Sequence, residues 1–180
     1  MKLFTLKTLN KMIPKLVLTD IDGVWTDGGM YYSESGEEIK KFSTSDSVGV
    51  LFLKMHNIPV VIITGEETAA VERRALKLKI DKIYQGVRNK LQAARDIVAE
   101  MGIELSEVAF IGDEINDIPL MIECGYVGIP ASASGYMDAY ADIRLKTAGG
   151  QGVFKEFVLH ILEENSLLED TMQEYIKSRR

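Results

Sequence analysis

The sequence predicts an α/β fold: a Rossmann-like parallel sheet with helices on both faces and a β-hairpin inserted after the first strand. Three observations predict it. Short, wholly apolar runs recur along the chain, the pattern of strands buried on both sides. Stretches of helical period separate them, as parallel crossover connections require. Polar residues follow the apolar runs, and in such sheets ligands sit beyond the carboxyl ends of the strands.

Lys15-Leu-Val-Leu-Thr19 is the first buried strand and runs into acids. Residues 24–44 hold two β-prone pieces around the turn-like Ser33–Gly36, which reads as a hairpin. From Ser45 the period becomes helical, with Val48, Leu51, Phe52 and Met55 expected inward and Ser45 or Asp46 as the cap. Ile58–Ile63 is a second buried strand and Glu67–Leu78 a helix. Asp81–Tyr84 is a short third strand, followed by a helix over Asn89–Met101 with Leu91, Ala94, Ile97 and Val98 inward. Val108–Ile111 is a fourth strand, Asp117–Cys124 a short helix and Tyr126–Ile129 a fifth strand. Ile143–Leu145 makes a sixth, and Gly152–Glu164 a closing helix.

At 180 residues one compact domain is expected. Its span is 15–164, between a mildly amphipathic leader over 1–14 and a polar tail over 165–180. The leader lacks the continuous apolar stretch of a signal peptide. The net charge of −6 argues against sequence-independent nucleic-acid binding. No apolar run approaches the roughly 18 residues of a membrane span. The one cysteine, Cys124, excludes an intrachain disulfide and fits a reducing cytoplasm. His56 and His160 have no partner motif and read as core-edge or surface residues. Trp25 reads as a hairpin residue, either a subunit contact or a wall of the site, and Pro130 as part of a loop flanking the pocket.

The strand ends gather chemistry. The first ends in Asp20-Ile-Asp-Gly23, the second in Thr64-Gly-Glu66 and the fourth in Gly112-Asp-Glu-Ile-Asn-Asp117, while Lys90 opens the helix after the third. A carboxylate attacking phosphorus needs its repulsion with phosphate cancelled, which a divalent cation and a lysine do. A hydroxyl and backbone N–H groups hold the phosphoryl oxygens. Acids at strand ends can also merely cap helices, but these four elements in order go beyond capping.

In order, Asp20-x-Asp-Gly23, Thr64, Lys90 and Gly112-Asp-x-x-Asn-Asp117 resemble the four motifs of the haloacid dehalogenase superfamily. The resemblance implies roles. Asp20 is the nucleophile and Asp22 the general acid/base. Asp20, the main-chain carbonyl of Asp22 and Asp113 hold Mg²⁺. Thr64, Gly65 and Lys90 bind the phosphoryl group, and Asn116 and Asp117 support it, Asp117 by orienting Lys90. Repulsion between Asp20 and Asp22 is expected to raise one of their pKa values. The second aspartate favours phosphatases or phosphomutases over dehalogenases.

Too little chain separates the motifs for a large cap domain. Thr19–Gly28, Lys40-Lys-Phe42, Asp46–Gly49 and Gly149–Val153 resemble the capless phosphatases of 3-deoxy-2-keto sugar acids. That resemblance implies a homotetramer in which the hairpin meets a neighbouring subunit. Two substrate branches are close. One takes the eight-carbon 3-deoxy-D-manno-octulosonate 8-phosphate. The other takes 2-keto-3-deoxynononate 9-phosphate or N-acylneuraminate 9-phosphate, on a route to sialic acid. Glu66 stands where the eight-carbon branch usually has Arg, which favours nine carbons, with Arg74 and Lys77 on one helix face to meet the substrate carboxylate. A non-catalytic tetramerisation module and a broader sugar phosphatase or phosphomutase are the alternatives. The first predicts a lost nucleophile, yet Asp20 is present.

Overall fold

In the computed structural model, which describes residues 13–179, β1 (Leu16–Thr19) is flanked by β4 (Val60–Ile63) and β6 (Val108–Ile111). β5 (Lys82–Tyr84) lies outside β4, and β7 (Tyr126–Ile129) and β8 (Ile143–Arg144) lie outside β6. The order is β5-β4-β1-β6-β7-β8 and every pairing is parallel. β1, β4 and β6 are buried at every residue, as their unbroken apolar sequences demand.

Alternation along β1 sends Val17 to one core and Leu16 and Leu18 to the other. The first core lies under α1 (Asp46–Met55), α2 (Ala69–Leu78) and α5 (Val153–Glu164). The second lies under α3 (Lys90–Met101) and α4 (Ile118–Glu123). Thr68 caps α2 by accepting from Ala70 N at 3.2 Å, and Asn89 caps α3 by accepting from Gln92 N at 3.0 Å. Cys124 is buried at the end of α4.

Several expectations need correction. α1 buries Gly49, Val50, Phe52 and Leu53, whereas Val48, Leu51 and Met55 pack against the same core but stay half-buried at its margin. The cause is α5: a Cβ on Gly49 would sit 3.1 Å from the Phe154 ring, so α1 turns its glycine to that crossing. Neither Ser45 nor Asp46 caps α1 with its side chain; Asp46 instead reaches α5, where its Oδ1 accepts from Lys155 N at 3.0 Å. Of the two readings of Trp25, burial removes the subunit contact. The residue is fully buried, its ring tilted by 30° against Phe154 at 4.5 Å, and its Nε1 donates to Thr19 Oγ1 at 2.9 Å.

The hairpin is slighter than its sequence suggests. Only β2 (Tyr31–Tyr32) and β3 (Glu38–Ile39) pair, antiparallel. Within the expected tail, α6 (Leu168–Lys177) is helical; Tyr175 meets Phe52 edge-on, and Thr171 shares a 2.7 Å hydrogen bond with His56 Nε2. His160 stacks against Tyr126. Most of the leader expected over 1–14 lies outside the described residues. No helix among the described residues is long and apolar enough to cross a membrane.

Candidate active site

The segments after β1 and β6 converge on one buried ammonium. Lys90, the first residue of α3, is 2% exposed. Its Nζ lies 2.8 Å from Asp20 Oδ2 at the end of β1 and 2.6 Å from Asp117 Oδ1 beyond β6. The other oxygen of Asp117 accepts from the backbone N–H groups of Asp113 (3.0 Å) and Glu114 (3.2 Å). Asp117 thus has a donor on each oxygen: it fixes the loop that carries Asp113 and holds Lys90 beside Asp20.

Asp20 and Asp113 remain with oxygens to offer. Burial, then the charge of Asp117, lift Asp20 to about 7 against the pull of Lys90. Burial, then Asp20 and Asp117, lift Asp113 to about 8. Asp22 is not the cause of the rise at Asp20, contrary to expectation; desolvation is.

The carboxylate oxygens of Asp20, Asp113 and Asp117 come within 4.8 Å of one another, and Asp113 Oδ1 is buried with no hydrogen-bond partner. Three carboxylates around one ammonium leave excess negative charge, and their hard oxygens suit a magnesium ion. The residues therefore fit such a cation. Gly23 makes the approach possible: its φ is +81°, and a Cβ there would lie 1.9 Å from Asp113 Oδ2.

The phosphoryl-binding candidates sit at the end of β4. Thr64 is buried, and its backbone is fixed between Tyr84 and Val87. Gly65 and Glu66 are exposed beside it. Arg74 and Lys77 do not form the expected pair of free cations. Arg74 is half-buried, donates to Ser43 O at 2.8 Å and lies over the Phe42 ring, so it anchors the segment after the hairpin. Lys77 and Asn116 are exposed.

Sequence reasoning missed three groups. Lys40, whose side chain is 1% exposed, bonds Asp22 Oδ1 at 2.6 Å and pairs with Glu38 at 3.1 Å. Thr26, fully buried, donates to the same Asp22 oxygen at 3.1 Å. Arg144 gathers the loop after β7, donating to Pro130 O (3.1 Å), Ala133 O (2.8 Å) and Asp138 (2.7 Å). That loop reaches the site through Tyr136, which donates to Glu114. One signal was available for Lys40: period-two alternation puts Glu38 and Lys40 on one face of the hairpin.

A carboxylate at the end of the central strand, backed by a fixed ammonium and a place for a hard cation, fits the hydrolase class that the sequence motifs resemble. A model of the haloacid dehalogenase-like hydrolases matches residues 49–125. The 3-deoxy-D-manno-octulosonate 8-phosphate phosphatase of Haemophilus influenzae is 35% identical over 166 residues, 91% of this chain and 92% of that one. The enzyme of the same name from Escherichia coli is 37% identical over 142 residues, 79% of this chain and 76% of that one. The structure of the Moraxella catarrhalis phosphatase of that name, with magnesium, phosphate and the octulosonate bound, superposes with a TM-score of 0.86. It is 33% identical and is matched over 90% of this chain and 93% of that one. The chain belongs to the haloacid dehalogenase-like hydrolases, in their capless branch of phosphoric monoester hydrolases. In keeping with that branch, only the hairpin separates β1 from α1 and only α2 separates β4 from β5 among the described residues.

Proposed function

We propose that the protein is a magnesium-dependent sugar-acid phosphatase and that its substrate is 3-deoxy-D-manno-octulosonate 8-phosphate. The observation that carries this reading is similarity over nine-tenths of both chains to a phosphatase of that name. Asp20 attacks phosphorus while Asp22 gives a proton to the departing alkoxide oxygen. Asp22, now a carboxylate, takes a proton from the water that attacks the aspartyl phosphate; phosphate leaves and Asp20 is restored. Lys90, Thr64 and the Gly65 N–H hold the phosphoryl oxygens as charge redistributes, and Asp117 keeps Lys90 in line. Asp20, Asp113 and the Asp22 carbonyl hold the magnesium, which when bound neutralises charge on the phosphoryl group.

A second reading keeps the chemistry and changes the sugar. Glu66, exposed two residues past Thr64, accepts hydrogen bonds from hydroxyls or an amide and suits a nine-carbon acid whose carboxylate lies farther off. Phosphate release from both sugar-acid phosphates, by the wild type and Glu66→Ala, decides between them. The first reading expects the eight-carbon phosphate to be preferred and Glu66→Ala to alter both alike. A nine-carbon preference, lost by about tenfold to a hundredfold in Glu66→Ala, establishes the second instead.

The raised carboxyls give magnesium binding a pH dependence. Ions bind carboxylates, so binding near neutrality expels protons from Asp20 and Asp113, whose values near 7 and 8 leave them partly protonated. Affinity is expected to rise with pH through that window and to level above it. Titration calorimetry in buffers of different ionisation heat measures the released protons; zero release at pH 7 contradicts the assignment.

The hairpin exposes Tyr31 (46%), Tyr32 (64%) and Ile39 (56%). We assign this patch to a neighbouring subunit of a homotetramer, where it helps cover an uncapped site. Light scattering is expected to give four chains; a fully active monomer at working concentration refutes it.

A further inference from the structure

We propose that Lys40 is a positioning residue for the acid step: from the hairpin it holds Asp22 Oδ1, leaving Oδ2 as the oxygen that carries the transferred proton. This rests on the reading of Asp22 as general acid. Asp22 Oδ1 accepts from Lys40 Nζ at 2.6 Å and from Thr26 Oγ1 at 3.1 Å. Both of its lone pairs therefore face donors, and a proton placed there would point at an ammonium or a hydroxyl hydrogen. Asp22 Oδ2 is buried and has no hydrogen-bond partner among the described residues. It is the one position on this carboxyl where a proton meets no competing donor.

Lys40 is built for this task rather than for touching substrate. Its side chain is 1% exposed, and its ammonium faces Asp22 Oδ1, Glu38 Oε1 at 3.1 Å and Met30 Sδ at 4.0 Å. The ammonium thus hydrogen-bonds Asp22 and, weakly, the Met30 sulfur, with Glu38 beside it as an ion-pair contact. Glu38 and Met30 also belong to residues 24–44, so the insertion carries both the lysine and the groups that orient it. Asp22 itself sits just past β1, in the loop secured by Thr26. The hairpin thereby couples to the reacting centre without entering it. In the step itself, the Oδ2–H bond breaks as its proton passes to the alkoxide oxygen, the P–O bond to the sugar breaks, and the bond from Asp20 to phosphorus forms.

Leaving-group dependence separates positioning from structural support. A sugar alkoxide needs a proton to depart, whereas p-nitrophenolate departs unaided. Steady-state kinetics on full-length protein with magnesium compare the octulosonate 8-phosphate and p-nitrophenyl phosphate for wild type, Lys40→Met, Lys40→Arg, Thr26→Val and Asp22→Asn. Lys40→Met is expected to lower kcat on the sugar phosphate by about a hundredfold, the scale of a misplaced catalytic group. KM stays level and the aryl phosphate loses less than about threefold, since its leaving group takes no proton. Lys40→Arg restores part of the loss. In an Asp22→Asn background Lys40→Met adds nothing further. Equal losses on both substrates, or full additivity with Asp22→Asn, overturn the proposal. If Lys40→Met does not fold, Thr26→Val reads the same selectivity through the other donor, and its absence there overturns it as well. If Asp22→Asn alone spares the sugar phosphate, the acid assignment fails instead, which is a different result from failure of Lys40.

Discussion

Asp20→Asn is expected to lower kcat by at least about a thousandfold, the scale seen when a nucleophile is removed. The amide keeps the shape of the carboxylate but has no electron pair able to attack phosphorus. Stability should not follow activity down. Burial raises Asp20 to about 7, so at pH 8 the folded protein carries a carboxylate that its surroundings disfavour. A neutral amide removes that cost, while Lys90 keeps its 2.6 Å pairing with Asp117. The melting temperature at pH 8, without added metal, is expected to stay level or rise. Acid-quenched samples with substrate should show phosphoprotein by mass spectrometry for the wild type and none for the variant. Residual activity above about a tenth of wild type, with deamidation excluded by mass, removes Asp20 from the nucleophile's role.

Lys90→Met is expected to cost both activity and stability. Losing the charge that faces the phosphoryl group should lower kcat by about a hundredfold or more. Removing one partner from a buried ion pair typically costs about 3–5 kcal/mol, because the other charge stays buried and unpaired. Here Asp20 and Asp117 would both be stranded. The sign of the pH dependence follows. Without the lysine, Asp20 rises above its present value of about 7, further above the 3.8 it has when unfolded. A carboxyl raised in the folded state contributes stability that is complete below the unfolded value and lost as pH climbs through the folded one. The deficit of the variant is therefore largest at pH 8 and smaller at pH 5. Urea unfolding at both pH values in chelator measures it, and an equal deficit at both contradicts the ion-pair account.

How much of this was legible in the sequence depends on the range of the interaction. β1, β4, β6 and β7 announce themselves because burial on both faces leaves no room for polar residues. Asn89 and the period of Ala94, Ile97 and Val98 likewise mark α3, and all three are buried. The site acids were legible because strand ends in a parallel sheet share one side. The orientation of α1 was not, since it is set by contact with α5 about a hundred residues later, at Gly49 and Phe154. The duty of Arg74 was hidden for the same reason: its partner is Ser43 O, 31 residues away. Lys40 entered only as part of the Lys40-Lys-Phe42 run, with no role of its own. Only the fold, which buries Lys40 and leaves Lys41 exposed, tells the two lysines apart.

The place of β1 in the sheet has a consequence for how the chain must be assembled. Its neighbours are β4, some forty residues later, and β6, some ninety residues later. Asp20 is written early, while the groups that make it useful, Lys90, Asp113 and Asp117, are written late. A growing chain therefore carries this buried strand with one flank open until residue 111 has emerged. The ladder between β1 and β6 runs to the pairing of Thr19 with Ile111, and β7 and β8 can add only after it. Such late, distant closures slow folding and prolong the exposure of sticky edges. Residues 13–107 on their own would keep Asp20 and Lys90 and lose β6 with Asp113 and Asp117 beyond it. The active site is thus a property of the finished chain, with no excisable segment that holds a working part of it.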